Sequence, residues 1–266
     1  MEATTADFTT IKVKTENRIA TITLDHPPVN SLNKTLLADL DKALDQIAAD
    51  KDVRVVVITG SGSHAFCAGA DLKEFEGIGP EGAEEMLKFG QSVFNKIASL
   101  PQPVIAAVNS LTLGGGNELA LSCDMRIASD RARFGQPEVW IGLLPAWGGT
   151  QRMTQLLGPA KAKELILTGQ MVNAQEAYRI GLINKVVPDG EEVRAAIDIA
   201  RMIIAKSAPL AVAASKRAIN KAMESSSLEE GLTYERKEAL KLAGSKDLVE
   251  GITAFVEKRQ PEFKGE

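Results

Sequence analysis

Two glutamates stand where a backbone is shaped to hold something. Glu118 closes the run Gly114-Gly115-Gly116-Asn117-Glu118, and Glu138 follows Phe134-Gly135-Gln136-Pro137. Two carboxylates that converge on one water molecule can divide its proton work, one acting as base and the other as acid. Each also has a plain structural account. A glutamate in a first helical turn gains from the helix dipole, and an acid after proline is an ordinary loop residue. What is specific is their combination with two segments rich in small residues.

The first of these segments is the glycine triplet. It lies between a strand predicted at 103–108 and a helix predicted from about residue 117. A helix N-terminus carries orphan N–H groups and partial positive charge. The N–H of Gly115 is therefore a candidate donor to a developing oxyanion. The second segment is Phe66-Cys67-Ala68-Gly69-Ala70-Asp71-Leu72-Lys73. Its small residues let a ligand approach the backbone, and the N–H of Ala70 is a candidate second donor. The competing readings are a tight turn for the triplet and a surface loop for 66–73.

The elements that must position these groups follow from hydrophobic periodicity. Residues 18–24 alternate apolar and polar as a half-buried strand, and 9–15 can pair with them. Leu36, Leu37, Leu40, Leu44 and Ile47 share one face of a helix over 32–49. The β-branched run at 53–59 reads as a strand buried on both faces. A loop is expected from Gly60 to Gly69, a helix at 83–99, a buried strand at 103–108 and a short strand at 125–128. Strands alternating with helices indicate a layered α/β core. Beyond about 145 the pattern turns mostly helical, with Val193, Ile197, Ala200 and Ile204 at helical spacing. Three helices fit between 208 and 258. A soft boundary near 200 divides a core, 1–200, from a helical region, 201–266, whose apolar faces need a cover. No internal repeat is visible.

Composition narrows the classes. The chain has 266 residues, 44% apolar and 25% charged, enough for one large domain with a buried core. Its 31 basic and 35 acidic residues, net −4, argue against a nucleic-acid surface. Apolar runs stop well short of a membrane span, and Met1 to Thr10 shows no secretory signal. The two cysteines, Cys67 and Cys123, suit packed thiols in a reducing, cytoplasmic setting. With only His26 and His64 available, a three-histidine zinc site is excluded, and no metal is expected. Gly60-Ser61-Gly62-Ser63-His64-Ala65 matches a dinucleotide fingerprint in spelling, but the loop runs on to Gly69 instead of opening a helix. No G-x-S-x-G elbow is present.

Taken in order, the motifs resemble the enoyl-CoA hydratase (crotonase) superfamily over nearly the whole chain. The collinear segments are LDHPP (24–28), FCAGADLKEF (66–75), PVIAAVNSLTLGGGNELALSCD (103–124), FGQPE (134–138), GGTQR (148–152), LTGQMVNAQEA (167–177), GLINKVV (181–187) and AFVEKRQPEF (254–263). The resemblance implies a spiral of ββα units with a C-terminal helical trimerisation region, and a homotrimer or a hexamer of two trimers. It implies an acyl-CoA thioester whose oxygen sits between the N–H groups of Ala70 and Gly115. It assigns CoA contacts to Ala68, Ala70, Asp71, Leu72 and Lys73, and, often across a subunit boundary, to Phe255 and Lys258. Members with both glutamates are typically hydratases, and Δ3,Δ2-isomerases typically keep only the later one. Glu118 is then the base that activates water and Glu138 the donor to C2, with no metal or redox cofactor. Alternatives are a methylglutaconyl-CoA hydratase, a 3-hydroxyacyl-CoA dehydratase, an isomerase or an RNA-binding homologue. The chain departs from the common pattern at Pro28, at Asn117 and at Pro145-Ala146-Trp147. Trp147 either narrows the acyl pocket or packs behind it.

Overall fold

The structure, a computed structural model, describes residues 8–266. Residues 1–7, most of the stretch read as lacking a secretory signal, lie outside the described residues. Strands β1 (Ile11–Glu16) and β2 (Ile19–Leu24) form an antiparallel hairpin. From β2 onward the sheet is parallel, through β3 (Val55–Gly60), β5 (Val104–Val108), β7 (Met125–Ser129) and β10 (Lys185–Val187). The continuous apolar runs have two faces to cover. Val56, Ile58, Val104, Ala106 and Val108 face helices α1 (Lys34–Ala49) and α2 (Pro80–Ser99) through Leu36, Leu40, Leu44, Phe94 and Ile97. The alternate residues Val55, Val57, Ile105, Ala107 and Ile127 pack on Ala196 and Ala200 of α7 (Glu192–Lys206).

A second sheet is built from four very short strands, β4 (Ala65–Cys67), β6 (Leu111–Leu113), β8 (Arg133–Gly135) and β9 (Val172–Asn173), in that order. The units β3-β4-α2 and β5-β6-α3 (Gly115–Ser122) each place one strand in either sheet and then a helix. The pair β7-β8 continues the same path into a 3-10 turn at 138–141 and α4 (Gly149–Leu157). This is the ββα spiral the resemblance implied. It is a repeat of geometry with no matching repeat of residues. The expected loop from Gly60 to Gly69 is corrected in part. Gly60 ends β3, and Ala65–Cys67 forms β4, which pairs with β6. The mostly helical second half still contributes β10 as the sixth strand of the main sheet.

Residue 200 falls inside α7, which covers the sheet, so the helices that leave the sheet begin at α8 (Pro209–Glu224). Helices α9 (Leu228–Leu242) and α10 (Lys246–Glu257) complete the three expected there. Helix α8 is fastened to the core by the pair of buried Lys216 with half-buried Asp124 at 2.7 Å, with Asn220 donating to the carbonyl of Ala98 at 3.1 Å. Cys67 and Cys123 are free and buried, and burial pushes both thiols up to about 12. Among the described residues no helix is long and apolar enough to cross a membrane, and no group of three potential metal-ligating side chains forms.

Candidate active site

The spiral stacks its loops so that the sequence-distant motifs meet. β6 ends at Leu113, and Gly114 turns the chain into α3 with φ 51° and ψ −126°, a conformation that suits glycine. The N–H of Gly114 donates to the carbonyl of Gly135 at 3.0 Å, tying the start of α3 to the end of β8. Three residues past Gly135, Glu138 opens the 3-10 turn, and its carboxylate lies against Gly114. A Cβ there would stand 3.0 Å from Oε1 of Glu138. One turn into α3, Glu118 points into the protein interior and is 2% exposed.

The two candidate oxyanion donors also lie side by side. The segment 68–71 runs along Val29 to Leu32. Ala68 N–H bonds the carbonyl of Val29 at 3.0 Å, and Asp71 N–H bonds that of Leu32 at 2.9 Å. The N–H of Ala70 faces the other way, and among the described residues it has no acceptor. The N–H of Gly115, in the first turn of α3, has none either, as expected of a helix start. Gly69 joins the two. A Cβ on it would lie 3.5 Å from the nitrogen of Gly115. Asp71 caps the turn at 72–75 through the N–H of Lys73, and Leu72 and Lys73 are exposed beside it.

Sequence reasoning missed what holds Glu118. Its Oε1 accepts two backbone N–H bonds, from Trp147 at 2.8 Å and from Gly149 at 2.7 Å. The signal was the pair Gly148-Gly149 at the start of α4, quoted above without a role. Burial still dominates the acidity of Glu118, which is pushed up to about 7. The N–H of Gly149 opposes this, the Glu138 charge adds to it, and Trp147 N–H and Arg152 oppose it. Glu138 is also raised, by burial. The indole of Trp147 is 3% exposed and packs behind the donor loop, edge-on to Phe94 at 5.8 Å. Its six-membered ring occupies the space a Cβ on Gly115 would take, with Cε3 and Cζ3 2.7 Å from that position. Asn117 and Gln136 bring fully buried amides that have no hydrogen-bond partner among the described residues. Phe255 and Lys258 are not part of this cluster. They sit exposed on and just past α10, away from the elements around the carboxylates.

A buried carboxylate anchored by two amides, a second raised carboxylate and two neighbouring N–H groups without an acceptor among the described residues fit acid–base chemistry at a thioester. The sequence profile of the Enoyl-CoA hydratase/isomerase family matches residues 14–266. The chain belongs to the enoyl-CoA hydratase/isomerase family. The short-chain-enoyl-CoA hydratase of Clostridium acetobutylicum is 41% identical, over 96% of this chain and 98% of its own. The crotonyl-CoA hydratase of Syntrophomonas wolfei is likewise 41% identical, over 96% and 98%. Among solved structures, an enoyl-CoA hydratase from Bacillus anthracis superposes with a TM-score of 0.93 at 41% identity, covering 97% of this chain and 100% of that one. The family match agrees with the fold derived above, including its two sheets and C-terminal helices.

Proposed function

We propose that this protein is an enoyl-CoA hydratase that adds water reversibly and syn across C2=C3 of a trans-2-enoyl-CoA to give a 3-hydroxyacyl-CoA. The observation that carries the proposal is the presence of both Glu118 and Glu138 beside two N–H groups without acceptors among the described residues. The N–H groups of Ala70 and Gly115 bind the thioester oxygen and stabilise the enolate that forms. One such donor is worth about 3 kcal/mol of barrier in other enzymes. Glu118 takes a proton from water as its oxygen bonds C3. The C2=C3 electron pair moves onto C2 and the thioester, and Glu138 delivers a proton to C2. The reaction runs backwards with the roles exchanged. It moves water and protons only, so no redox cofactor or metal is required. The names of the curated relatives favour short acyl chains.

The backbone at Ala68, Ala70, Asp71, Leu72 and Lys73 forms the edge along which the CoA moiety lies. Phe255 and Lys258 reach the CoA from a neighbouring subunit of a trimer, alone or paired as a hexamer. Val249, Ile252, Phe255 and Val256 support this, since all four are exposed on one short helix, and a patch of that kind marks an interface. Light scattering on the purified protein should give three or six subunits, and a monomer contradicts the assembly. The two buried free thiols suit the cytoplasm.

Loss of the conjugated enoyl-thioester absorbance on mixing with crotonyl-CoA tests the reaction, and no turnover by folded protein rejects it. A series of longer and branched enoyl-CoAs defines the acyl preference. The acidities predict a pH profile as well. Glu118 must be ionised to accept a proton and is pushed up to about 7. Hydration should therefore fall as pH drops below that value, roughly tenfold per pH unit, with an apparent midpoint belonging to the coupled pair. A rate independent of pH between about 5 and about 8 contradicts Glu118 as base.

A further inference from the structure

Glu118 is held by two backbone N–H groups, and something must in turn hold the loop that presents them. Gly148 lies between the donors Trp147 and Gly149, at φ 115°, which turns the chain so that both N–H groups face the carboxylate. The space a side chain would need at Gly148 is filled by the guanidinium of Arg152, with Cζ 3.1 Å from the Cβ position. From there Nη1 donates to the carbonyl of Trp147 at 3.0 Å, and Nη2 donates to Oδ1 of Asn95 on α2 at 2.6 Å. One planar fork thus ties the loop to a helix of the core, a geometry an ammonium cannot reproduce.

We infer that Arg152 is a positioning residue for the hydration reaction, clamping the loop 147–149 so that its N–H groups hold Glu118 and placing a fixed positive charge behind that carboxylate. The inference rests on the hydratase reading for its catalytic consequence, and on the clamp geometry together with the charge of Arg152 for its effect on Glu118. The charged groups acting on Glu118 are few. Glu138 on the 138–141 turn raises its pKa, and Arg152 on α4 lowers it. Arg126, Asp124 and Lys216 gather around Cys123 instead, and that thiol is neutral near pH 7 because burial pushes it up to about 12. Glu118 is accordingly the carboxyl group that the Arg152 charge meets in the site.

The test uses the full chain carrying carboxyl-13C glutamate, with the Glu118 resonance assigned by its loss in Glu118→Gln. In Arg152→Gln the Glu118 titration midpoint should rise by roughly half a pH unit, less than the one to three of a direct ion pair. The acid limb of hydration should move with it. The kcat for crotonyl-CoA should fall about 10- to 100-fold with KM changed less than about threefold, since a loosened base costs the chemical step and not binding. Arg152→Lys keeps the charge but not the fork. It should leave the midpoint near its original place while kcat falls about 3- to 10-fold. An unmoved midpoint in Arg152→Gln, or a kcat unchanged in Arg152→Lys, overturns the inference. If Arg152→Gln does not fold, Asn95→Ala replaces it. That variant removes one tine of the fork and should lower kcat about threefold with KM unchanged, and wild-type kcat overturns the clamp. Absence of turnover in the unmodified protein would reject the hydratase reading, while the NMR midpoint would still decide whether Arg152 acts on Glu118.

Discussion

Glu118→Gln is expected to lower kcat for hydration of crotonyl-CoA by about 10³-fold, within the range general acid–base groups contribute, and to make the protein more stable above neutral pH. The first half follows from chemistry. Glutamine keeps an oxygen to accept the N–H groups of Trp147 and Gly149, so the loop stays in place, but it cannot take a proton from water. Substrate affinity should change little, because in the proposed mechanism the thioester oxygen is held by Ala70 and Gly115. Activity near that of the unmodified protein would remove Glu118 from the mechanism.

The second half follows from the sign of the pKa change. Glu118 is pushed up to about 7 in the folded protein, from a reference of 4.5. The folded state therefore binds its proton more tightly than the unfolded chain does. The stability associated with that proton is fully present below about 4.5 and is lost as pH rises through about 7. Above that, the buried charge costs roughly 3 kcal/mol. Glutamine carries no charge and avoids the cost. Denaturant midpoints should favour Glu118→Gln at pH near 8, with the advantage shrinking towards pH 5. A site that destabilises its own fold to keep a base near neutral pH is the ordinary stability–activity exchange. Equal stability at both pH values would mean that Glu118 is not a strained carboxylate.

How far the site could be read from residues alone depended on the reach of each interaction. The long strands 53–59 and 103–108 and helix 32–49 announced themselves because periodicity accumulates over many residues. The three-residue strands β4, β6 and β8 are too short to show alternation. Their pairing is decided by the turns around them, so the ββα repeat stayed invisible as sequence. Glu118 and Glu138 were legible because each sits in a local motif that shapes its own backbone. The N–H groups that hold Glu118 come from 29 and 31 residues away. Trp147 was legible as unusual but not as placed, since its slot is made by Gly90 on α2 and by Gly115. A glycine that makes room for a distant ring looks like any other helical glycine in sequence.

Of two neighbouring glycines at the start of α3, Gly116→Ala carries the larger expected loss. A Cβ at Gly115 would meet side chains only, the Trp147 ring at 2.7 Å and Leu32 Cδ1 at 3.1 Å. A Cβ at Gly116 would overlap the carbonyl oxygen of Cys67, with the carbonyl carbon at 2.7 Å and Cβ of Cys67 at 2.8 Å. Cys67 ends β4 and leads directly into 68–70, so its backbone cannot retreat without carrying the N–H of Ala70 along. Helix α3 cannot retreat either without moving Gly115 N–H and Glu118. Overpacking of this kind costs about 1–3 kcal/mol of stability. Here it also separates the two proposed oxyanion donors, and a misplacement near 1 Å costs on the order of 100-fold in rate. Gly116→Ala should therefore unfold at clearly lower denaturant and lose at least about 100-fold in kcat, with Gly115→Ala affected less in stability. Circular dichroism and crotonyl-CoA turnover on the two variants check the order. If Gly116→Ala is as stable and active as the unmodified protein, α3 and β4 do not approach as closely as the oxyanion site requires.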